Sequence, residues 1–256
     1  MAEKFIKNKG ELLRSKNKKK KIKKFVLISI LLISLFITLC LKLSYFNINE
    51  IKVHNNKNVA TEEIIKLSNI GKGSNIFYLN TKKIMSNILK DSYVINVNVK
   101  RRLPSNIDIT VEEREAAFYL AKESKFLIIG KDGVVLEEKE SLSNSSLIAL
   151  LGFDSKQAIV GKKLPCDDKR KISVIGTITE IVTGDTSRPK IISANISDLL
   201  NIRIYYEKIY IKLGTSENLD KKIDKALTMI KLEQLKGVKG YIDVSVIDKP
   251  VFCVEK

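Results

Sequence analysis

The feature that most limits what this chain can become is one uncharged apolar run. From Phe25 to Leu41 the residues read FVLISILLISLFITLCL, 17 positions without a charge, and Leu43, Ser44, Tyr45 and Phe46 prolong the apolar character beyond Lys42. At about 1.5 Å per residue, such a run reaches roughly 26 Å without the extension and roughly 31 Å with it, close to the thickness of a hydrocarbon core. A soluble amphipathic helix would carry a polar face, and this run has none. Its exit, Leu-Lys-Leu-Ser-Tyr-Phe, lacks the small residues of a signal-peptide cleavage site. The run reads as an uncleaved transmembrane anchor over 25–45, with Lys42 snorkelling and Tyr45 and Phe46 at the interface.

The flanks give this anchor a direction. Residues 1–24 hold 11 Lys and Arg against two Glu, out of 46 and 29 in the whole chain of net charge +17. Only Lys42, Lys52 and Lys57 lie in the sixteen residues that follow the apolar run, 42–57. A basic flank of this kind stays in the cytoplasm, which places 1–24 inside and the chain from about 46 outside. The run RSKNKKKKIKK (14–24) also has the composition of a nucleic-acid arm. Beside an apolar span its plainer task is to fix topology and touch anionic lipid, so the plasma membrane is expected as a partner and nucleic acid is not.

Residue types also narrow the chemistry. One His (His54) and three scattered Cys (Cys40, Cys166, Cys253) leave no room for a Cys/His zinc site. Ser-x-x-Lys occurs at Ser15–Lys18 and Ser187–Lys190, the first in the basic tail and the second broken by Pro189. Neither sits on a helix that would bring a nucleophile and its base together outside the membrane. No enzyme, catalytic residue, metal or cofactor is expected. Cys166 and Cys253, 87 residues apart, carry no framework signature and are read as unpaired.

After the anchor the hydrophobic period changes repeatedly. INEIKVH (48–54) alternates as a strand, and ATEEIIKLSNI (60–70) has the acidic first turn and apolar spacing of a helix. Gly71-Lys72-Gly73 ends it, lacking the spacing of a phosphate loop. Leu79-Asn80-Thr81 opens a second helix with Ile84, Met85, Ile88 and Leu89 at helical spacing. VINVNVKRR (94–102) and IDITVEER (107–114) then alternate around the turn Leu103-Pro104-Ser105-Asn106. The order is β-α-α-β-β. Beyond it, FLIIG and VVLEE form a hairpin around Lys131-Asp132-Gly133, and SLIALLGF (146–153) is an apolar strand. A helix is expected from Asp167 to about Thr183 with Ile172, Ile175, Ile178 and Val182 on one face. IISANIS, NIRIYYE and KIYIKLG are strands, the last two paired across Glu207-Lys208. Leu213-Gly214, Leu219 and Lys222 precede a helix ending near Leu235, and Gly240-Tyr241-Ile242-Asp243 begins the last strand.

The segments FNINEIKVHNNKNVATEEI, GKGSNIFYLNTKKI and above all YVINVNVKRRLPSNIDITVEERE resemble the POTRA domain of the FtsQ/DivIB family of bacterial cell-division proteins. Arg101, Arg102, Pro104, Glu113 and Arg114 match the family pattern of strand, Arg-x-x-Pro, strand, Glu-Arg. Asn55-Asn56 stands where the family has Gly-Asn, and Gly130 where it has Asp. Gly-Lys-x-Leu at 161–164 and the stretch 202–244 are also similar to the family. The resemblance implies an α+β protein of four parts: a basic tail 1–24, a transmembrane helix 25–45, a POTRA domain 46–115 and a mainly antiparallel β-sheet domain with packed helices, 116–256. It implies a non-catalytic single-pass divisome protein at the septum, binding FtsL and DivIC/FtsB and helping to regulate the septal wall synthase. The family holds its partner with carboxy-terminal strands, which here means Tyr241, Ile242, Asp243, Val244, Ser245 and Val246, with Val251–Val254 as an extension past Pro250. The competing expectation is a POTRA-bearing export or assembly factor that binds client strands; a following β-barrel would favour it.

Overall fold

The computed structural model describes residues 2–142, 146–183, 189–232 and 237–254. Ser187 and Leu235, named above, lie outside these, as does the side chain of Val182. The first element is a long helix, α1 (Ala2–Lys42), and its stretch Lys19–Lys42 is long and apolar enough to cross a membrane. The helix stops at Lys42, where the expected span ran to 45, and a 3-10 turn (Ser44–Phe46) follows. By its contacts the chain divides into two compact units: one of Met1–His54, Thr61–Met85 and Asn98–Thr110, the other of Asn55–Ala60, Ser86–Val97 and Val111–Lys256.

The expected β-α-α-β-β order is present. It runs β1 (Glu50–His54), α2 (Thr61–Ser68), a 3-10 turn (Ile76–Tyr78), α3 (Thr81–Ile88), β2 (Val94–Arg102) and β3 (Asn106–Glu113). The sheet order is β1-β3-β2, with β1 parallel to β3 in the register Glu50↔Asn106 to His54↔Thr110. Strict alternation drives Ile107, Ile109 and Val111 of β3 inward, each almost fully buried. Ile64 of α2 and Ile84 and Ile88 of α3 are buried as their helical spacing requires, whereas Leu89 falls beyond the helix end and is exposed. Asn55 follows β1 with φ +66, the left-handed turn that Asn tolerates.

The second unit is built on a nine-stranded sheet in the order β12-β11-β10-β9-β8-β7-β4-β5-β6. Its strands are β4 (Ala116–Lys122), β5 (Lys125–Gly130), β6 (Val135–Lys139), β7 (Ile148–Leu151), β8 (Ser193–Asn195), β9 (Ile202–Tyr206), β10 (Ile209–Gly214), β11 (Gly240–Asp243) and β12 (Val251–Val254). Five of the eight pairings are antiparallel; β4–β7, β7–β8 and β10–β11 are parallel. The sheet is open, with β12 and β6 at its ends, so the described strands form no barrel.

Two helices pack against each other in this unit, α4 (Arg170–Thr183) and α5 (Leu219–Ile230). Val174, Ile175 and Ile178 of α4 and Ile223, Ala226, Leu227 and Ile230 of α5 enter the same core as Ile204, Ile211 and Ile242 from the sheet. Each fully buried aliphatic side chain contributes about 1.5–3 kcal/mol. Helix α5 ends at Ile230, earlier than expected, and takes in Leu219 and Lys222. Lys222 is buried, and its ammonium donates to the Thr215 carbonyl at 3.1 Å, so the charged head has an acceptor where the aliphatic stem packs.

Candidate partner-binding surface

At the β12 end of the sheet, alternation sorts the side chains cleanly. Ile202, Ile204, Ile209, Ile211, Leu213 and Ile242 are buried on the helix side. The opposite face carries two rows in register across β9, β10 and β11. One row is Tyr205, Tyr210 and Tyr241; the other is Arg203, Lys212 and Asp243. The rings of Tyr205 and Tyr210 lie 6.3 Å apart and those of Tyr210 and Tyr241 5.4 Å apart, both tilted. Lys212 joins the rows, its ammonium 4.0 Å from the Tyr241 ring centroid and 3.9 Å from Asp243 Oδ2. Each aromatic pair contributes about 0.5–1.5 kcal/mol beyond its buried area, so the patch is a stiffened cross-strand platform.

The six residues expected to form one partner-binding strand do not form one. Tyr241, Ile242 and Asp243 lie in β11, which is an interior strand between β10 and β12. Val244 is fully buried, its N–H donating to the Lys212 carbonyl at 3.0 Å. Ser245 then turns away, because its N–H and hydroxyl both donate to Asp243 Oδ1, at 3.0 and 2.6 Å. This local bond competes with the ladder and ends the strand. Val246 is left exposed in the turn. The edge is β12, antiparallel to β11 from Gly240↔Val254 to Asp243↔Val251. Gly240 permits the approach, since a Cβ there would collide with the Cys253 carbonyl oxygen. All four β12 residues are exposed. The sequence signal for this edge was Pro250, which stands in the turn just before it.

The five motif positions sit elsewhere and are occupied in holding the chain together. Arg101 donates to the carbonyls of Ile76 (3.0 Å) and Leu79 (2.6 Å), fixing the Ile76–Tyr78 turn. Arg102 pairs with Asp108 at 2.7 Å, and this hydrogen bond holds the Asp108 carboxyl below its usual range. Pro104 follows a cis peptide between β2 and β3. Glu113 accepts the backbone N–H groups of Lys57, Asn58 and Val59 and the Asn58 side-chain amide, at 2.7–3.2 Å. Burial raises its pKa, but these four bonds outweigh burial and the net shift is downward. Arg114 donates to the carbonyls of Ser92 (2.7 Å) and Val94 (2.9 Å) and to Asp132 Oδ2 (2.8 Å). The hairpin's Asp132 thus supplies a carboxylate beside Gly130, where the family resemblance implied an acid.

Among the described residues no three His, Cys, Asp or Glu side chains gather as a metal site. His54 ends β1 opposite Thr110. Cys40, Cys166 and Cys253 are free thiols.

Residues 46–114 match the POTRA domain of FtsQ type. With α1 ahead of it, this defines a POTRA-bearing protein with one membrane-length helix among the described residues. Over 247 residues the chain is 39% identical to the cell division protein DivIB of Clostridium botulinum, covering 96% of each chain. It is 38% identical to DivIB of Clostridium acetobutylicum over 88% of this chain and 89% of that one. It is 26% identical to the cell division protein FtsQ of Syntrophotalea carbinolica over 155 residues, 56% of this chain and 55% of that one. The chain belongs to the DivIB/FtsQ family of cell-division proteins.

Proposed function

We propose that this chain is a non-catalytic scaffold of the division machinery, divided as tail 1–24, anchor 25–45, POTRA domain 46–115 and partner-binding domain 116–256. The basic flank favours a cytoplasmic amino terminus, with the rest outside and concentrated at the septum. The partners are the membrane proteins FtsL and DivIC/FtsB, and through them the septal wall synthase. The observation that carries this reading is the β12 edge: four exposed, uncharged residues in extended conformation beside the tyrosine platform. An edge of this kind captures an extended segment by backbone hydrogen bonds, with neighbouring side chains giving selectivity. Tyr241, Ile242, Asp243, Val244, Ser245 and Val246 then serve as its support, Tyr241 and Asp243 on the accessible face. Anchoring both proteins in one membrane raises their effective concentration and strengthens a modest contact.

The test is localisation of an amino-terminal fluorescent fusion in dividing cells, beside a variant lacking 251–256. A mid-cell band for the full chain, with loss of DivIC co-purification in the folded truncation, supports the scaffold. An even peripheral signal throughout the cycle contradicts it.

A further inference from the structure

We propose that the aromatic turn Ile76–Tyr78 is a membrane-interface contact, seated in the headgroup layer of the bilayer face at which α1 ends. The inference rests on α1 being a transmembrane helix and adds a second point of attachment. Asn75 is buried, only 7% exposed, and its side-chain amide donates to the carbonyls of Cys40 (2.9 Å) and Leu41 (3.2 Å). Those two residues are the last of the uncharged run. Carbonyls in the last turn of a helix lack an acceptor's usual partner further along, and Asn75 satisfies these two in place of water. Whatever bonds to them therefore lies at the depth where the apolar span meets the headgroups.

The residues that follow suit that depth. The Asn75 carboxamide oxygen accepts the Phe77 N–H at 2.9 Å and so starts the turn. Phe77 packs on Phe46 with ring centroids 5.3 Å apart, and Phe46 on Tyr45 at the same distance. Tyr45 and Tyr78 are both about two-thirds exposed, and Leu43 and Phe77 are exposed to a lesser degree. In water this cluster would be a costly apolar surface; at an interface, amphipathic aromatic rings are favoured. Lys42 and Lys72 are exposed, and Lys72 lines one open hollow with Ser44 and Tyr45, where ammonium groups can meet lipid phosphate. Arg101 holds the turn from behind through Ile76 and Leu79, which makes this motif residue a positioning residue for the contact.

The chain has no Trp, so a single introduced indole reports its own surroundings. Full-length Tyr78→Trp would be placed in phosphatidylcholine–phosphatidylglycerol vesicles containing lipids brominated near the headgroup or near the chain end. The expected result is blue-shifted emission quenched most by the shallow bromines, with the separate Leu31→Trp variant quenched most by the deep ones. Adding Asn75→Ala, or Arg101→Gln if the former fails to fold, should abolish quenching of the indole at position 78 and leave that at position 31 unchanged. Water-like emission from position 78 that neither lipid quenches, with position 31 still quenched, overturns the interface contact alone. Loss of quenching at position 31 as well overturns the transmembrane reading beneath it. Quenching at position 78 that survives both substitutions overturns the roles given to Asn75 and Arg101.

Discussion

The nine-stranded sheet ends differently on its two sides. At the β6 end, Val135 donates to the Lys162 carbonyl at 2.9 Å and accepts from Gly161 at 2.8 Å, while the Leu136 carbonyl accepts the Ser92 hydroxyl. Glu137 and Glu138 pair with Lys139, Lys122 and Lys125 at 2.8–3.3 Å, and Tyr93 caps Glu137, with burial and then that carboxylate pushing the phenol pKa upward. At the β12 end there is Val-Phe-Cys-Val, exposed along its length and without a charge. One edge is closed by backbone partners and charge; the other keeps what strand addition needs. Both belong to one sheet, so the difference reflects local sequence and not a general looseness. It is the reason for proposing the carboxy-terminal edge as the working one.

The largest expected effect breaks both edges at once. Phe118 of β4 is fully buried between them, and Phe118→Ala should cost about 3–5 kcal/mol in a denaturation experiment, with both edges losing amide protection together. Loss at one edge only would mean that the sheet is two independent halves. Arg114→Ala strands Asp132 and the carbonyls of Ser92 and Val94, so it should cost about 2–3 kcal/mol and open the β6 side first. Charging the open edge with Phe252→Lys and Val254→Lys copies the protection seen at β6. Affinity for DivIC, the proposed partner, should fall at least about tenfold, roughly 1.4 kcal/mol. Stability should move by less than about 0.5 kcal/mol, because both positions are exposed.

Glu113 touches neither edge and gives a control with a pH signature. Its folded-state pKa lies below the unfolded value, so its stabilisation is present above the ordinary glutamate pKa of about 4.3 and is lost as pH falls through the folded value. Glu113→Gln should cost about 1–2 kcal/mol at neutral pH, and the gap from the parent should narrow steadily in melts taken below the ordinary glutamate pKa of about 4.3. A milder loss is expected from Tyr241→Leu, about 0.5–1.5 kcal/mol of platform stability, read by thermal melting.

Strands whose alternation is strict were legible. NIRIYYE and KIYIKLG gave β9, β10 and their pairing, because Ile202, Ile204, Ile209, Ile211 and Leu213 alternate onto one face, with Tyr206 beside them, and Arg203, Tyr205, Tyr210 and Lys212 onto the other. AAFYLAK did not announce β4: its alanines blur the alternation, and a register shift between Ala116 and Phe118 breaks the period. Sheet order was out of reach, since β4 pairs in parallel with β7 and β10 with β11, contacts that no hairpin turn marks. The misplaced edge has the same origin. Tyr241–Val246 reads as one strand until the Asp243–Ser245 turn ends it, and only the returning β12 shows that β11 is covered. The motif residues were found from sequence, but their work as clamps on loops 57–59, 76–79 and 92–94 depends on contacts across tens of residues.

The most direct measurement is hydrogen–deuterium exchange of the full-length protein in micelles, with and without DivIC, the partner proposed above. The amides of Val251–Val254 should become protected on binding while those of Val135–Lys139 do not change. Protection that appears elsewhere, with Val251–Val254 exchanging as fast as in the free protein, would contradict capture at the β12 edge.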